Sequence, residues 1–196
     1  MALDSPEDGQ DIDRELLRQV REAPEGDLRA FEQLVIRYQN RILANCRYLT
    51  RDENNAEDLS QEVFLKAYFG LPKFEERSSF RHWLNRIKVN HCLNHLKKDG
   101  GRKALALDDD SANGFEELQA APDAAARIER MEDRAKIEGV LALMPATLRV
   151  PLIMRDMDDL SYDEIAEALG LGLSAVKMRI KRGREFFRST YPEVGA

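Results

Sequence analysis

An all-helical protein built from two small modules is the fold class that the sequence predicts, and three observations predict it. Apolar residues recur at spacings of three and four along most of the chain, the period of a helix with one buried stripe. The two-residue alternation and β-branched runs that mark strands are nearly absent. A long polar stretch, from Asp99 to about Ala126, then divides the helical pattern in two.

The elements follow in order. Residues 1–10 are acidic and lack an apolar stripe, and are expected to form a disordered tail. Ile12, Leu16 and Val20 suggest a short helix, closed by a turn at Pro24-Glu25-Gly26. A long helix then carries Leu28, Phe31, Leu34, Val35, Tyr38, Ile42, Cys46 and Leu49 on one stripe. The third begins near Asn55, buries Leu59, Val63 and Ala67, and stops at Gly70-Leu71-Pro72. A fourth follows Ser78-Ser79 and runs to about Lys98.

Gly100-Gly101, the triple Asp108-Asp109-Asp110, Asn113-Gly114 and Pro122 interrupt any periodicity and read as a flexible acidic linker. After it, Ile137, Val140, Leu141 and Met144 mark a helix that ends before Pro145. Another covers roughly 146–157, and two shorter ones finish the chain. Pro151 falls inside the first of these three, where it removes one helical hydrogen bond, so a bend is expected there. The organisation predicted is a tail over 1–10, a helical module over 11–98, a linker over 99–126, a second module over 127–191 and a short tail over 192–196. There is no internal repeat.

Charge is unevenly spread. The formal net charge of -6 argues against a polyanionic partner until its distribution is read. Acids gather at Asp4, Glu7, Asp8, Asp11 and Asp13 and again in the linker, whereas Lys177, Arg179, Lys181, Arg182, Arg184 and Arg188 crowd the end with Glu185 the one acid among them. The chain opens Met-Ala-Leu-Asp-Ser-Pro-Glu-Asp, acidic where a secretory signal is basic, and no apolar run approaches the roughly 20 residues of a membrane helix, so the cytoplasm is the expected compartment. Cys46 and Cys92 lie in predicted helices without metal-type spacing and read as reduced packing residues; no cofactor is implied.

The C-terminal module reads as a helix-turn-helix. Ser161-Tyr-Asp-Glu164 is a capping box that starts one helix, Gly170 stops it, and Leu171-Gly172-Leu173 turns to Ser174, an acceptable N-cap for the next. On that second helix Val176, Ile180, Gly183 and Phe187 share one side, and Gly183 permits close approach of its neighbour. Ser174, Lys177, Met178 and Lys181 project from the other side, in reach of a major groove, with Arg182 among the more distal cations that meet phosphates. Lys177 and Arg179 are the best candidates for a guanine edge.

In the N-terminal module the helix after Ser79 is apolar on two flanks. Between them Ser79, Arg86, Asn90 and Lys97 fall within an arc of about 40° and make a polar, cationic seam. Phe74 in the preceding loop and Trp83 within the helix add aromatic faces, which can stack an unpaired base. Trp83 taken alone reads as a core residue; the seam as a whole reads as a nucleic-acid surface.

Asn55-Ala-Glu-Asp-Leu-Ser-Gln-Glu-Val-Phe-Leu-Lys-Ala-Tyr68, then Phe74, then Phe80-Arg-His-Trp83-Leu-Asn-Arg-Ile87, resembles region two of bacterial sigma factors. Leu160-Ser-Tyr-Asp-Glu-Ile-Ala166 with Val176-Lys-Met-Arg179 is similar to their region four. The lack of a third domain points to the extracytoplasmic-function class of the sigma-70 family. The resemblance implies a non-enzymatic initiation factor that binds RNA polymerase core and promoter DNA. Asp58, Gln61 and Glu62 would dock on the coiled coil of the largest subunit. Phe74 and Asn90 would hold a flipped base of the minus-ten element while Arg86 and Lys97 meet phosphates. Region four would read the minus-thirty-five element as duplex and bind the polymerase flap. The linker would thread toward the RNA path, and an anti-sigma factor is a further expected partner. Met178 stands where a small polar residue is usual and Ala175 where Thr is common, so base preference is not transferable from relatives.

Two rival readings meet obstacles in the residues. An ordinary helix-turn-helix regulator leaves Asp58, Gln61, Glu62 and the aromatic seam unexplained. A metalloenzyme built on His91-Cys92-x-x-His95 lacks the Glu that a zinc protease carries at position 92, and His91 falls among apolar flank residues as a packing histidine would.

Overall fold

The computed structural model describes the backbone of residues 6–98 and 125–191, and the side chains of 10–98 and 133–191. Among these residues every regular element is helical, as periodicity predicts. The chain divides into two compact units, 1–95 and 96–196. All of the expected linker except its last two residues, and the tail over 192–196, lie outside the described residues.

The first unit holds α1 (Pro6–Glu22), α2 (Arg29–Thr50), α3 (Glu53–Gly70), a 3-10 turn (Leu71–Lys73) and most of α4 (Phe80–Lys98). Helix α1 starts six residues before Ile12, where its apolar stripe begins, so part of the tail expected over 1–10 is helical. It is pinned to α2 by a buried polar contact: Tyr38 donates its hydroxyl to Asp13 Oδ2, and Arg37 Nε lies 3.2 Å from Oδ1. Burial pushes the Asp13 carboxyl above its usual range, against the pull of Tyr38, Arg37 and Arg81. Leu17, Leu34, Ile42, Leu49, Val63, Leu84 and Leu93 close the core around this tie, with Cys46 and Cys92 wholly buried and their sulfurs 3.7 Å apart. Helix α3 begins two residues before Asn55 because Asp52 caps it, its carboxylate accepting from the Asn55 backbone N–H at 3.1 Å.

The second unit holds α5 (Ala125–Leu143), α6 (Ala146–Asp156), α7 (Tyr162–Leu169) and α8 (Leu173–Thr190). Val140, Met144, Val150, Ile153, Met154, Leu160, Ile165, Val176 and Ile180 are its core. Arg149 is buried with them and donates Nη1 to the Met144 carbonyl at 3.0 Å, satisfying a buried carbonyl just past the end of α5. Pro151 lies within α6 on its buried side. Gly183 does what its place in the apolar stripe suggests: a Cβ there would stand 3.2 Å from the Leu148 carbonyl oxygen and 3.4 Å from Leu152 Cβ, so α8 lies directly against the α6 backbone.

Candidate nucleic-acid interface

The helix-turn-helix is set by local chemistry. Ser161 accepts from the Glu164 N–H at 3.2 Å, and Glu164 accepts from the Ser161 N–H at 2.9 Å, so both ends of the capping box are made. Gly170 closes α7 in the left-handed region, φ 67°, where a side chain would strain the backbone. The N-cap of α8 is Gly172, not Ser174, which lies inside the helix. A glycine in that place makes no side-chain cap, so the start of α8 depends on packing against its neighbours.

On α8 the structure separates the basic residues that the sequence groups together. Ser174, Lys177, Met178, Lys181 and Arg182 are exposed, as a groove-reading face requires. Arg179 is not with them: it is 7% exposed. At 100° per residue it stands about 60° from Val176, close enough to the buried stripe to be drawn in beside Ile180 and Gly183. Arg184 stays at the surface but is tied to α6, Nε donating at 2.9 Å to Asp156 and Nη2 to the other carboxylate oxygen, a bidentate pair that raises its pKa. Tyr162 lies under two cations, Arg155 at 4.9 Å and Lys177 at 5.8 Å from its ring centroid.

The residues expected to form the seam on α4 are placed as follows. Arg86, Asn90 and Lys97 are exposed, and Ser79 caps the helix by accepting from the His82 N–H at 3.2 Å. Trp83 is half-buried about 20° beyond that arc. Phe74, however, is 6% exposed and does not offer a face to a ligand. The turn over 71–73 folds it under the helix, where it stacks on Trp83 at 4.7 Å and meets Phe80 edge-on at 6.2 Å. Arg21 of α1 holds the loop there, donating to the Phe74 carbonyl at 2.8 Å and pairing with Glu76. Gly70 completes the platform: a Cβ would stand 3.2 Å from Trp83 Cζ2, so the indole rests on the end of α3. The sequence marks Gly70 only as a helix stop.

A third surface lies on α3. Asp58, Gln61 and Glu62 are all exposed, and the same arc of about 100° also carries Leu65, 57% exposed, and Phe69, 70% exposed. Two large apolar side chains thus stand in water beside an acidic edge, an arrangement typical of surfaces that partners cover. The sequence does not single them out, because helical spacing alone does not say which apolar residues of α3 the core leaves uncovered. His91 Nε2 stands 3.1 Å from Glu62 Oε2 and His95 Nε2 3.4 Å from Asp52 Oδ2, so both histidines face carboxylates rather than each other. No group of three or more His, Cys, Asp or Glu suited to a metal occurs among the described residues.

Residues 34–102 match sigma-70 region 2 and residues 134–187 match sigma-70 region 4. The chain belongs to the sigma-70 family. It is 34% identical to the RNA polymerase sigma-H factor of Pseudomonas aeruginosa over 180 residues, 90% of this chain and 92% of that one. It is likewise 34% identical to the ECF RNA polymerase sigma-E factor of Escherichia coli over 171 residues, 85% of this chain and 88% of that one. Among solved structures it is similar to CnrH in complex with the cytosolic domain of CnrY, at 26% identity and a TM-score of 0.57, covering 93% of this chain and 99% of that one. It also shares its fold with the Bartonella quintana sigma factor RpoE bound to the anti-sigma factor NepR, at 22% identity and a TM-score of 0.56. These likenesses place it among the extracytoplasmic-function sigma factors, which are initiation factors and not enzymes, and set aside the regulator reading. Among the described residues no helix is long and apolar enough to cross a membrane.

Proposed function

We propose that this sigma factor divides promoter recognition among the three surfaces just described. The exposed face of α3, Asp58, Gln61 and Glu62 with Leu65 and Phe69, docks on the coiled coil of the largest polymerase subunit. Carboxylates and an amide there meet basic groups, and the two apolar side chains leave water on binding. The face of α8 bearing Ser174, Lys177, Met178, Lys181 and Arg182 enters the major groove of the minus-thirty-five element as duplex, while its unit also meets the polymerase flap. The α4 seam takes the minus-ten element once it opens: Trp83 stacks, Asn90 hydrogen-bonds, and Arg86, Lys97 and Ser79 lie along the backbone. Phe74 supports Trp83 from beneath. Opening costs a few kcal/mol of unstacking, which a surface that accepts only unpaired bases offsets by differential binding.

The observation that carries this reading is the α3 face, because a regulator that binds duplex alone has no use for it. A cytosolic anti-sigma protein is a further proposed partner, supported by the likeness to sigma factors solved with such proteins. The cytoplasm is where all these partners meet. Run-off transcription with purified core polymerase and a promoter library tests the proposal: start sites should appear only when the chain is added. Starts independent of the chain, or tight duplex binding unaffected by core enzyme, would refute it.

A further inference from the structure

Arg21 stands on α1, upstream of the residues matched to sigma-70 region 2, and belongs to none of the three proposed surfaces. Its guanidinium nevertheless reaches the loop that carries Phe74. Nη2 donates to the Phe74 carbonyl at 2.8 Å and Nη1 donates to Glu76 Oε1, so one planar group grips the loop at two points. Glu76 is the residue that needs a grip: its φ of 55° lies in the left-handed region, which a side chain tolerates only where its surroundings hold it. The neighbouring pair of Arg77 with Glu75 lies within the loop, largely in water, and adds little. From the gripped loop the contacts run inward. Phe74 is buried and supports Trp83 with ring centroids 4.7 Å apart and 30° between the planes, while Gly70 lies against the indole.

We propose that Arg21 is a positioning residue for strand opening: by holding the loop over 74–76 it keeps Phe74 under Trp83, and so fixes the indole against which an unpaired base stacks. This rests on the reading of the α4 seam as the minus-ten surface. An indole free to tilt must be ordered when a base arrives, and that ordering is subtracted from the stacking energy. A ring supported from beneath is ordered beforehand, which is a gain in affinity without a new contact. Arg21 acts through two aromatic rings and needs no contact with DNA. Helix α1 thereby takes a part in promoter opening in addition to its packing on α2.

The test is a double-mutant cycle on the full chain assembled with core polymerase, using Arg21→Ala, Trp83→Leu and the Arg21→Ala/Trp83→Leu pair. Two DNAs are made from a promoter recovered in the run-off assay. One is duplex through the minus-thirty-five element and single-stranded over the minus-ten element; the other stops upstream of the minus-ten element. Core binding is measured for every variant as a guard against misfolding. Arg21→Ala is expected to weaken binding of the first DNA by about three- to tenfold, part of what one stacked base contributes, with core binding and the second DNA unaffected. In the Trp83→Leu background Arg21→Ala should cost nothing further, because leucine presents no flat face for Phe74 to hold. Equal losses in both backgrounds would show that Arg21 acts otherwise than through Trp83 and would overturn the proposal. So would a parallel loss of core binding, which marks a role in folding alone. Weakened binding by Trp83→Leu with none by Arg21→Ala would overturn it while leaving the minus-ten reading intact. Unchanged binding by Trp83→Leu would remove Trp83 from the seam, and the proposal with it.

Discussion

Replacing Lys177 and Arg179 one at a time separates what is presented to DNA from what is packed beneath it. The two residues are neighbours on α8 and look alike in sequence, but Lys177 is exposed and Arg179 is 7% exposed. Lys177→Ala removes one accessible cation. If it meets a phosphate, the slope of log affinity against log salt should shallow by about 0.9, so that a fourfold rise in salt costs the variant roughly 3.5-fold less than it costs the parent. If it reads a guanine edge, about 1–3 kcal/mol of discrimination should vanish at one position of the element. Arg179→Ala instead strips a buried side chain from its surroundings and should lower the stability of the second unit by about 1–3 kcal/mol, with the salt slope unchanged. The assay is anisotropy titration of a minus-thirty-five duplex at several salt concentrations, using core enzyme assembled with each variant, alongside urea unfolding of the free chain. A shallower salt slope for Arg179→Ala with unaltered unfolding would refute the separation.

Three further outcomes follow from contacts already described. Gly183→Leu should destabilise the second unit by roughly 1–3 kcal/mol, because the side chain must displace the Leu148 carbonyl and Leu152; unfolding at the parent's midpoint would show that α6 and α8 are not so close. Ser161→Ala opens one side of the capping box and should cost about 1 kcal/mol, most of it restored by Ser161→Thr, read as amide exchange in the first turn of α7. Asp52→Ala should cost about 1 kcal/mol at neutral pH. The side chain and backbone N–H of Asn55, with a smaller contribution from His95, hold the Asp52 carboxyl below its usual 3.8. A depressed carboxyl stabilises the fold above its unfolded pKa and loses that contribution as pH falls through its folded one, so the deficit of the variant should shrink below about pH 4. A deficit constant from pH 7 to pH 3 would contradict this.

Much of this architecture is legible before any coordinates. Helix positions follow from a period that local sequence states directly, and the Ser161 box, the Gly170 stop and the Gly183 contact depend on neighbours within a few residues or on one helical face. What escapes is decided across the fold. Whether Arg179 faces water or core depends on where α6 lies relative to a flank position, and 60° on a wheel is near the border between the two. Phe74 is buried because Arg21, 53 residues away, holds its loop, and no local signal records that. The exposure of Leu65 and Phe69 is hidden for the opposite reason: helical spacing does not distinguish an exposed apolar strip from a second strip of core. Histidines at i and i+4 suggest a metal until the opposing helix brings a carboxylate to each. Ser174, the commoner type of cap, points to a start of α8 two residues too late, because Gly172 occupies the N-cap.

The stacking of Trp83 on Phe74 gives the molecule an internal gauge of its own downstream chemistry. It is the single indole in the chain, and it lies on the seam proposed to meet opened bases. Light excited at that ring reports one location and no other. Emission should therefore change at the moment a nucleobase replaces solvent on its outer face, allowing strand opening to be timed in unlabelled protein.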